Sequence, residues 1–290
     1  MSTRNFGIVM PLMAVLAMSA PAQAAETSAE SPVLTTAKAA ETRLKARIGF
    51  VVHDTGNGQT VSYRAEEAFP MASTFKALAC AALLKGGDAV SGKMLTVQQS
   101  DLMEYAPVTK DMVGKSASAA DFCAITLRTS DNTAANKVLE AVGGPKAVTA
   151  FLRSIGDKRT RLDRTEPTLN EGKPGDPRDT TTPAAMAATM EKLVLGQALP
   201  EASRATLTQW LIADEVAGPL LRAGLPKDWR IADRTGAGGH GTRGIVSVIW
   251  PSHHAPLVAV VYITGTKASM DERNKAIAEI GKAIAETYRN

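Results

Sequence analysis

Ser73-Thr74-Phe75-Lys76 is the first place in this 290-residue chain where side-chain types and spacing could do chemistry. Pro70 and Ser73 mark the start of a helix, and from 77 to 84 almost nothing is polar. Phe75, Leu78, Ala79, Ala82 and Leu83 recur at three- and four-residue intervals, which predicts a helix buried nearly all round. Ser73 then lies at its N-terminal end, where free backbone N–H groups and the helix dipole favour developing negative charge. Lys76 is one turn on, on the same face. A lysine at the mouth of an apolar helix is costly unless it has a partner or a task. Ser73 and Lys76 are therefore a candidate nucleophile and activating amine. Such a pair also arises by chance, and it gains weight only from its setting and from the polar groups farther along the chain.

Three such groups lie downstream. Ser130-Asp131-Asn132 comes after Leu127-Arg128-Thr129 and precedes a new helical pattern. Three polar residues in a row ordinarily make only a turn and a helix cap. The loop over 161–179 is rich in charge and proline, holds Glu166-Pro167 and Asn170, and has no periodicity. Loops of that length inside a compact domain are functional or disordered. The opposite charges of Arg164 and Asp179 could close this one. Arg234-Thr235-Gly236-Ala237-Gly238-Gly239 ends a strand, with glycines where a ligand could approach the backbone closely.

Elements that could position these groups are legible in the hydrophobic pattern. An amphipathic helix over 33–47 leads to a strand over 48–54, a Gly56-Asn57-Gly58 turn and a strand over 60–63. From 73 to about 213 the chain reads as mostly helical, with segments at 118–127, 133–142, 145–154 and 183–195. Three strands come next at 230–235, 245–250 and 257–264, then a helix over 270–288 with Ile277, Ile280 and Ile284 on one stripe. The fold class is thus α/β (α+β): an antiparallel five-stranded sheet built from both termini with flanking helices, plus an inserted all-helical domain. The expected domains are 25–68 with 213–290 (α/β) and 69–212 (all-α, including the 161–179 loop), with the active site between them.

Residues 1–24 read as a secretory signal, with Arg4, an apolar stretch broken by Pro11, and a small-residue cleavage site at Ala22-Gln23-Ala24. Cleavage near Ala24 would place the mature chain in an oxidising compartment. There the two cysteines, Cys80 and Cys123, are expected to bridge the helices bearing Ser73 and Ser130, a pair of buried thiols being the alternative. A net charge of +4 and a pI near 9.0 come without any basic run, so nucleic acid is not an expected partner. His53, His240, His253 and His254 make no zinc spacing, and no metal is expected.

Together, Ser73-x-x-Lys76, Ser130-Asp131-Asn132, Glu166 with Asn170, and Arg234-Thr235-Gly236 resemble the class A serine β-lactamases across essentially the whole mature chain. One departure stands out: the family's last triad usually begins with lysine. Arg234, the 236–239 run and Arg243 are similar to the carbenicillin-hydrolysing subgroup. An arginine keeps the positive charge but offers a planar fork.

The resemblance implies a penicillinase or carbenicillinase without cofactor, acting in the periplasm as a monomer on small-molecule β-lactams, away from the membrane once the signal is removed. Ser73 attacks the lactam carbonyl, with the N–H groups of Ser73 and Ala237 as the oxyanion hole. Lys76, or Glu166 through a water, takes the Ser73 proton. Ser130 passes a proton to the leaving nitrogen, and Asn132 bonds the substrate's side-chain amide. Arg234, Thr235 and Arg243, beside Gly236, receive the substrate carboxylate. Glu166 and Asn170 hold the deacylating water, Tyr105 walls the mouth of the site, and Glu166-Pro167 is cis. A penicillin-binding peptidase, which lacks a dedicated deacylating glutamate, and a covalent lactam sensor are the competing readings.

Overall fold

The computed structural model describes residues 1–2 and 31–289; the signal over 1–24 falls, but for its first two residues, outside them. In chain order the elements are α1 (Pro32–Leu44), β1 (Arg47–Asp54), β2 (Thr60–Tyr63), β3 (Phe69–Pro70), α2 (Phe75–Lys85), α3 (Asp88–Ser91), β4 (Met94–Thr96) and β5 (Ser116–Ser118). Next come α4 (Ala119–Thr129), α5 (Asn132–Val142), α6 (Pro145–Ser154), β6 (Thr180–Thr181), α7 (Pro183–Val194), α8 (Glu201–Ile212) and α9 (Leu221–Gly224). Then β7 (Arg230–Gly238), β8 (Thr242–Trp250), β9 (Leu257–Thr264) and α10 (Met270–Tyr288) complete it.

A five-stranded antiparallel sheet in the order β2-β1-β9-β8-β7 joins the early segment 47–63 to the late segment 230–264, as the pattern predicts. Central β9 is buried at every position because both faces of the sheet are covered. Its Leu257, Ala259, Val261 and Ile263 face α1 and α10, packing with Val33, Ala37, Ile277, Ile280 and Ile284. Val258, Val260 and Tyr262 face the other way, into a core shared with α7 and α2.

Three boundaries differ by three residues from the sequence expectation, and in one of them β8 begins at Thr242 rather than at 245. The first helix stops at Leu44 rather than 47, because Lys45 turns left-handed (φ 46°) and its N–H caps the carbonyls of Glu41 and Thr42. Strand β7 does not end at Thr235 but continues to Gly238, pairing Gly236 with Gly244, Ala237 with Arg243 and Gly238 with Thr242. Glycine's low strand preference hid this extension.

In α2 every residue from Phe75 to Leu84 except Ala82 is buried, Lys76 included. Cys80 of α2 and Cys123 of α4 form the expected disulfide, with 5.6 Å between their Cα atoms.

Candidate active site

The position of Ser73 is set by a tight turn. Ala72 adopts φ 43°, and residues Ala72–Thr74 form one 3-10 turn leading into α2. Thr74 Oγ1 donates to Met71 O (2.8 Å) and shares a 2.9 Å hydrogen bond with Tyr262 Oη, fastening the turn to β9. On the other side β7 presses close. A Cβ on Gly236 would lie 2.7 Å from Met71 O and 3.1 Å from Ser73 N, so only glycine lets Ala237 come alongside the turn.

Ser130 and Asn132 reach the site from a helix–helix corner. Helix α4 ends on Ser130 in the left-handed conformation (φ 64°), and α5 begins at once behind Asp131 as N-cap. Asp131 is fully buried and accepts from Ala134 N (2.9 Å), Val108 N (3.0 Å), Thr109 N (2.9 Å) and Thr109 Oγ1 (2.7 Å). The motif's aspartate is thus a structural keystone that aims its two neighbours.

Lys76 Nζ is where these pieces meet. It lies 2.9 Å from Ser73 Oγ, 3.2 Å from Ser130 Oγ, 2.9 Å from Ser130 O and 2.6 Å from Asn132 Oδ1. Glu166 Oε1 is 3.1 Å away, and neither side chain of this pair is exposed. Burial pulls the lysine down from 10.5 to about 8; the Glu166 charge opposes that drop and Arg234 adds to it.

Glu166 sits on the 161–179 loop, whose neck is closed by a dense polar knot. Arg164 Nε donates to Asp179 Oδ2 (2.6 Å), while Asp179 Oδ1 accepts from the backbone N–H groups of Asp163 (2.7 Å) and Arg164 (2.9 Å). Asp163 returns the bond, taking Asp179 N at 3.0 Å. The Glu166–Pro167 peptide is cis. Asn136 of α5 clamps the glutamate's backbone, donating to Glu166 O and accepting from Glu166 N, each at 3.0 Å. Asn170 Nδ2 donates to Glu166 Oε2. Glu166 Oε1 and Asn170 Oδ1 are buried acceptors without a protein donor in hydrogen-bonding geometry. Lys76, although 3.1 Å from Glu166 Oε1, is held to it by charge. Gly239 N donates to Asn170 O (2.8 Å), so the loop also rests on the end of β7.

Arg234 of β7 is fully buried. Its Nη1 donates to Asp214 Oδ2 and to Leu127 O, both at 3.0 Å, its Nε points to Ser73 O at 3.4 Å, and its Nη2 has no acceptor in the protein. Burial disfavours both charges, pushing Asp214 up and Arg234 down, while each attracts the other. On β8, Arg243 donates through Nε to Asn274 Oδ1 (2.8 Å) and through Nη1 to Gly236 O (3.2 Å). Burial first, then the Arg234 and Arg273 charges, lower it to about 10.

Of the residues singled out in the sequence, Ser73, Tyr105, Ser130, Asn132, Asn170, Thr235, Gly236, Ala237 and Arg243 line one cleft of about 420 Å³. Lys76, Glu166 and Arg234 stand directly behind its wall. Sequence reasoning missed Val216 and Met270, which also line it, and Asp214, Asn136 and Asn274, which hold Arg234, Glu166 and Arg243. No motif marks any of these. A larger recess of about 650 Å³ by Arg43, Lys45, His240 and Lys267 holds no nucleophile beside a base. Among the described residues no group of three or more His, Cys, Asp or Glu could hold a metal ion.

A serine, a lysine whose proton affinity burial lowers and a buried glutamate beside a cationic cleft are groups suited to acyl transfer, and comparison with known proteins gives the class. The chain belongs to the β-lactamase enzyme family, whose family model matches residues 34–288, and it is a class A serine β-lactamase that hydrolyses β-lactams. Beta-lactamase PSE-4 of Pseudomonas aeruginosa is 51% identical over 256 residues, covering 87% of this chain and 88% of that one. Beta-lactamase AER-1 of Aeromonas hydrophila is 46% identical over 287 residues, covering 98% and 93%. Among solved structures, an ancestral class A β-lactamase superposes with a TM-score of 0.85 at 50% identity, over 88% of this chain and 99% of that one. The chromosome-encoded β-lactamase of Vibrio parahaemolyticus gives 0.85 at 43%, over 88% and 98%.

Proposed function

We propose that this enzyme opens penicillins through an acyl-enzyme on Ser73 and frees the product with a water activated by Glu166. The observation that carries the second half is two buried acceptors, Glu166 Oε1 and Asn170 Oδ1, that take no hydrogen bond from the protein, on residues joined through Asn170 Nδ2 and Glu166 Oε2. A water donating one hydrogen to each would be oriented and, by the carboxylate, deprotonated.

In the first half, Ser73 Oγ gives its proton to Lys76 or, through that water, to Glu166 as it attacks the lactam carbonyl. The developing oxyanion meets the N–H groups of Ser73 and Ala237 at the head of α2. Ser130, sharing Lys76 with Ser73, hands a proton to the departing ring nitrogen. Asn132 bonds the substrate's side-chain amide, and Tyr105, half exposed at the mouth, packs against that side chain. Thr235 and Arg243 receive the carboxylate common to penicillins, and Arg234, buried behind them with Nη2 unpartnered, backs it with its charge. The surplus of cations also favours a substrate with a second carboxylate, and we assign the enzyme a preference for carbenicillin on that ground.

The finer organisation belongs to the same proposal: an α/β part (25–68, 213–290) and a helical part (69–212) enclosing the cleft, and export by residues 1–24 to the periplasm, where a monomer confers β-lactam resistance. No helix among the described residues is long and apolar enough to cross a membrane.

Mass spectrometry of a Glu166→Ala protein briefly exposed to benzylpenicillin tests the mechanism. Loss of a general base typically slows a step about 10²–10⁴-fold, so the expected result is protein plus one intact penicillin on the Ser73 peptide, and no lasting adduct on the parent. An adduct that persists on the parent would mean a penicillin-binding protein instead. Normal turnover by the variant would assign deacylation to another residue.

A further inference from the structure

The segment from Leu102 to Val108 carries Tyr105 along the mouth of the cleft but belongs to no helix or strand. Its conformation is dictated from α5. Val108 N and Thr109 N donate to Asp131 Oδ2, Asn132 N donates to Tyr105 O (2.9 Å), and Met103 N donates to Thr133 Oγ1 (2.9 Å). These contacts grip the segment from Met103 to Val108, directly beside Ser130. The near end of the segment is secured differently. Lys137, one turn farther along α5, places its ammonium 2.7 Å from Asp101 Oδ2, with only 8% of the lysine side chain exposed. The same carboxylate oxygen accepts Gln98 N at 2.7 Å, which closes the 3-10 turn Gln99–Asp101 just before the segment begins. Thr133 Oγ1 adds a 3.3 Å bond to Asp101 O. Glu140, 52% exposed, is the lysine's second partner at 3.1 Å.

A lysine this buried needs its charge answered, and a carboxylate that also caps a turn is a fixed rather than a roaming partner. We infer that Lys137 and Asp101 are specificity-determining positioning residues, whose ion pair anchors the near end of the segment that carries Tyr105 and thereby limits how bulky a substrate side chain the cleft accepts. The inference rests on the reading of this cleft as the β-lactam site. Neither residue touches the reacting atoms. Their loss therefore acts on substrate side-chain binding and leaves the Ser73–Lys76–Glu166 chemistry in place.

The test uses Lys137→Met, which keeps the apolar stem and removes the charge, Lys137→Arg, which restores it, and Asp101→Asn, which removes it from the other side while still able to accept Gln98 N. KM and kcat are measured on benzylpenicillin and on a penicillin with a bulky acyl side chain, and hydrogen exchange is followed in parallel. For Lys137→Met and Asp101→Asn, KM for benzylpenicillin is expected to rise about three- to tenfold with kcat within about twofold, while the KM ratio between bulky and small substrates falls. Amides of Met103 and Tyr105 exchange faster, those of Ala134 and Ala135 in α5 do not, and Lys137→Arg behaves as the parent. Unchanged KM ratios in both charge-removing variants overturn the inference. So does a uniform loss of kcat together with faster exchange throughout α5, which would mark the pair as a helix support only. Should Lys137→Met fail to fold, Asp101→Asn decides alone. Failure of the underlying reading would look different: the parent itself would not hydrolyse benzylpenicillin.

Discussion

Lys76 Nζ and Glu166 Oε1 stand 3.1 Å apart with neither side chain reaching solvent. Each is the other's countercharge, and each is a candidate to take the Ser73 proton. The lysine is pulled down to about 8 by burial, against the Glu166 charge, which holds it up. At pH below about 8 it is mainly an ammonium, and above it mainly an amine able to accept a proton.

If Lys76 is the acylation base, single-turnover acylation is expected to rise with pH and level off above about 8. Glu166→Gln removes the charge that keeps the lysine protonated, so the rise is expected at lower pH in that variant. Stopped-flow acylation across the range, in parent and variant, checks both. A flat profile in the parent would assign the proton to Glu166 and its water. A rise that moves to higher pH in the variant would contradict the electrostatic account of the pair.

The neck of the 161–179 loop supplies a second expectation. Asp179 is buried, and its two oxygens serve Arg164 Nε and two backbone N–H groups. Asp179→Asn retains one acceptor oxygen and leaves the guanidinium's strongest partner neutral, with Glu171 at 3.0 Å and Asp176 at 3.8 Å as its remaining carboxylates. Turnover of benzylpenicillin is expected to fall about 10–100-fold as Glu166 loses its fixed position, and bulkier substrates to gain relative to it. Hydrogen exchange over 165–176 is expected to accelerate. Unchanged rates with unchanged exchange would show that the loop is held elsewhere.

How much of the fold and site is legible in the sequence depends on whether a feature is local. The all-round apolar run of α2, the Ser130-Asp131-Asn132 corner and the Arg164–Asp179 neck are encoded by residues close in sequence or by recognisable spacing, and all stand as expected. What stays hidden are single polar residues whose meaning lies in a distant partner. Asp214 means little until β7 brings Arg234 against it, twenty residues on. Asn136 reads as one more helical residue until the loop arrives thirty residues later. Lys137 interrupts an apolar stripe without announcing Asp101. The extension of β7 through Gly236 and Gly238 is invisible for a related reason: the glycines are there for the close approach of the Ser73 turn and of Asn170, not for the strand.

The Cys80–Cys123 bridge closes a 43-residue separation between α2 and α4. The chain-entropy relation puts the resulting stabilisation at up to ~4 kcal/mol. Replacing both cysteines with alanine is expected to lower the urea midpoint accordingly, while kcat/KM on benzylpenicillin stays within about twofold, since no reacting group is touched. A tenfold loss of activity in the folded variant would place the bridge in the catalytic geometry.

Arg234 and Asp214 carry the last prediction. Both are wholly buried, and the guanidinium is spread over three acceptors, Asp214 Oδ2, Leu127 O and Ser73 O, with Nη2 left over. A lysine has one nitrogen for the same surroundings and cannot hold Leu127 and Asp214 while also offering a donor to substrate. Arg234→Lys is therefore expected to lower carbenicillin hydrolysis more than benzylpenicillin hydrolysis, because the more anionic substrate draws more on the positive field and on the donor left over for it. An equal fall for both substrates would remove Arg234 as the source of any preference. Asp214→Ala asks the complementary question. It strands a buried cation, which ordinarily costs about 3–5 kcal/mol of stability. The surviving folded protein, its Arg234 no longer drawn toward the end of α8, is expected to bind carbenicillin at least as tightly as the parent while unfolding at lower urea. Weaker binding of carbenicillin by folded Asp214→Ala would show that Asp214 aims the guanidinium at the substrate rather than competing for it.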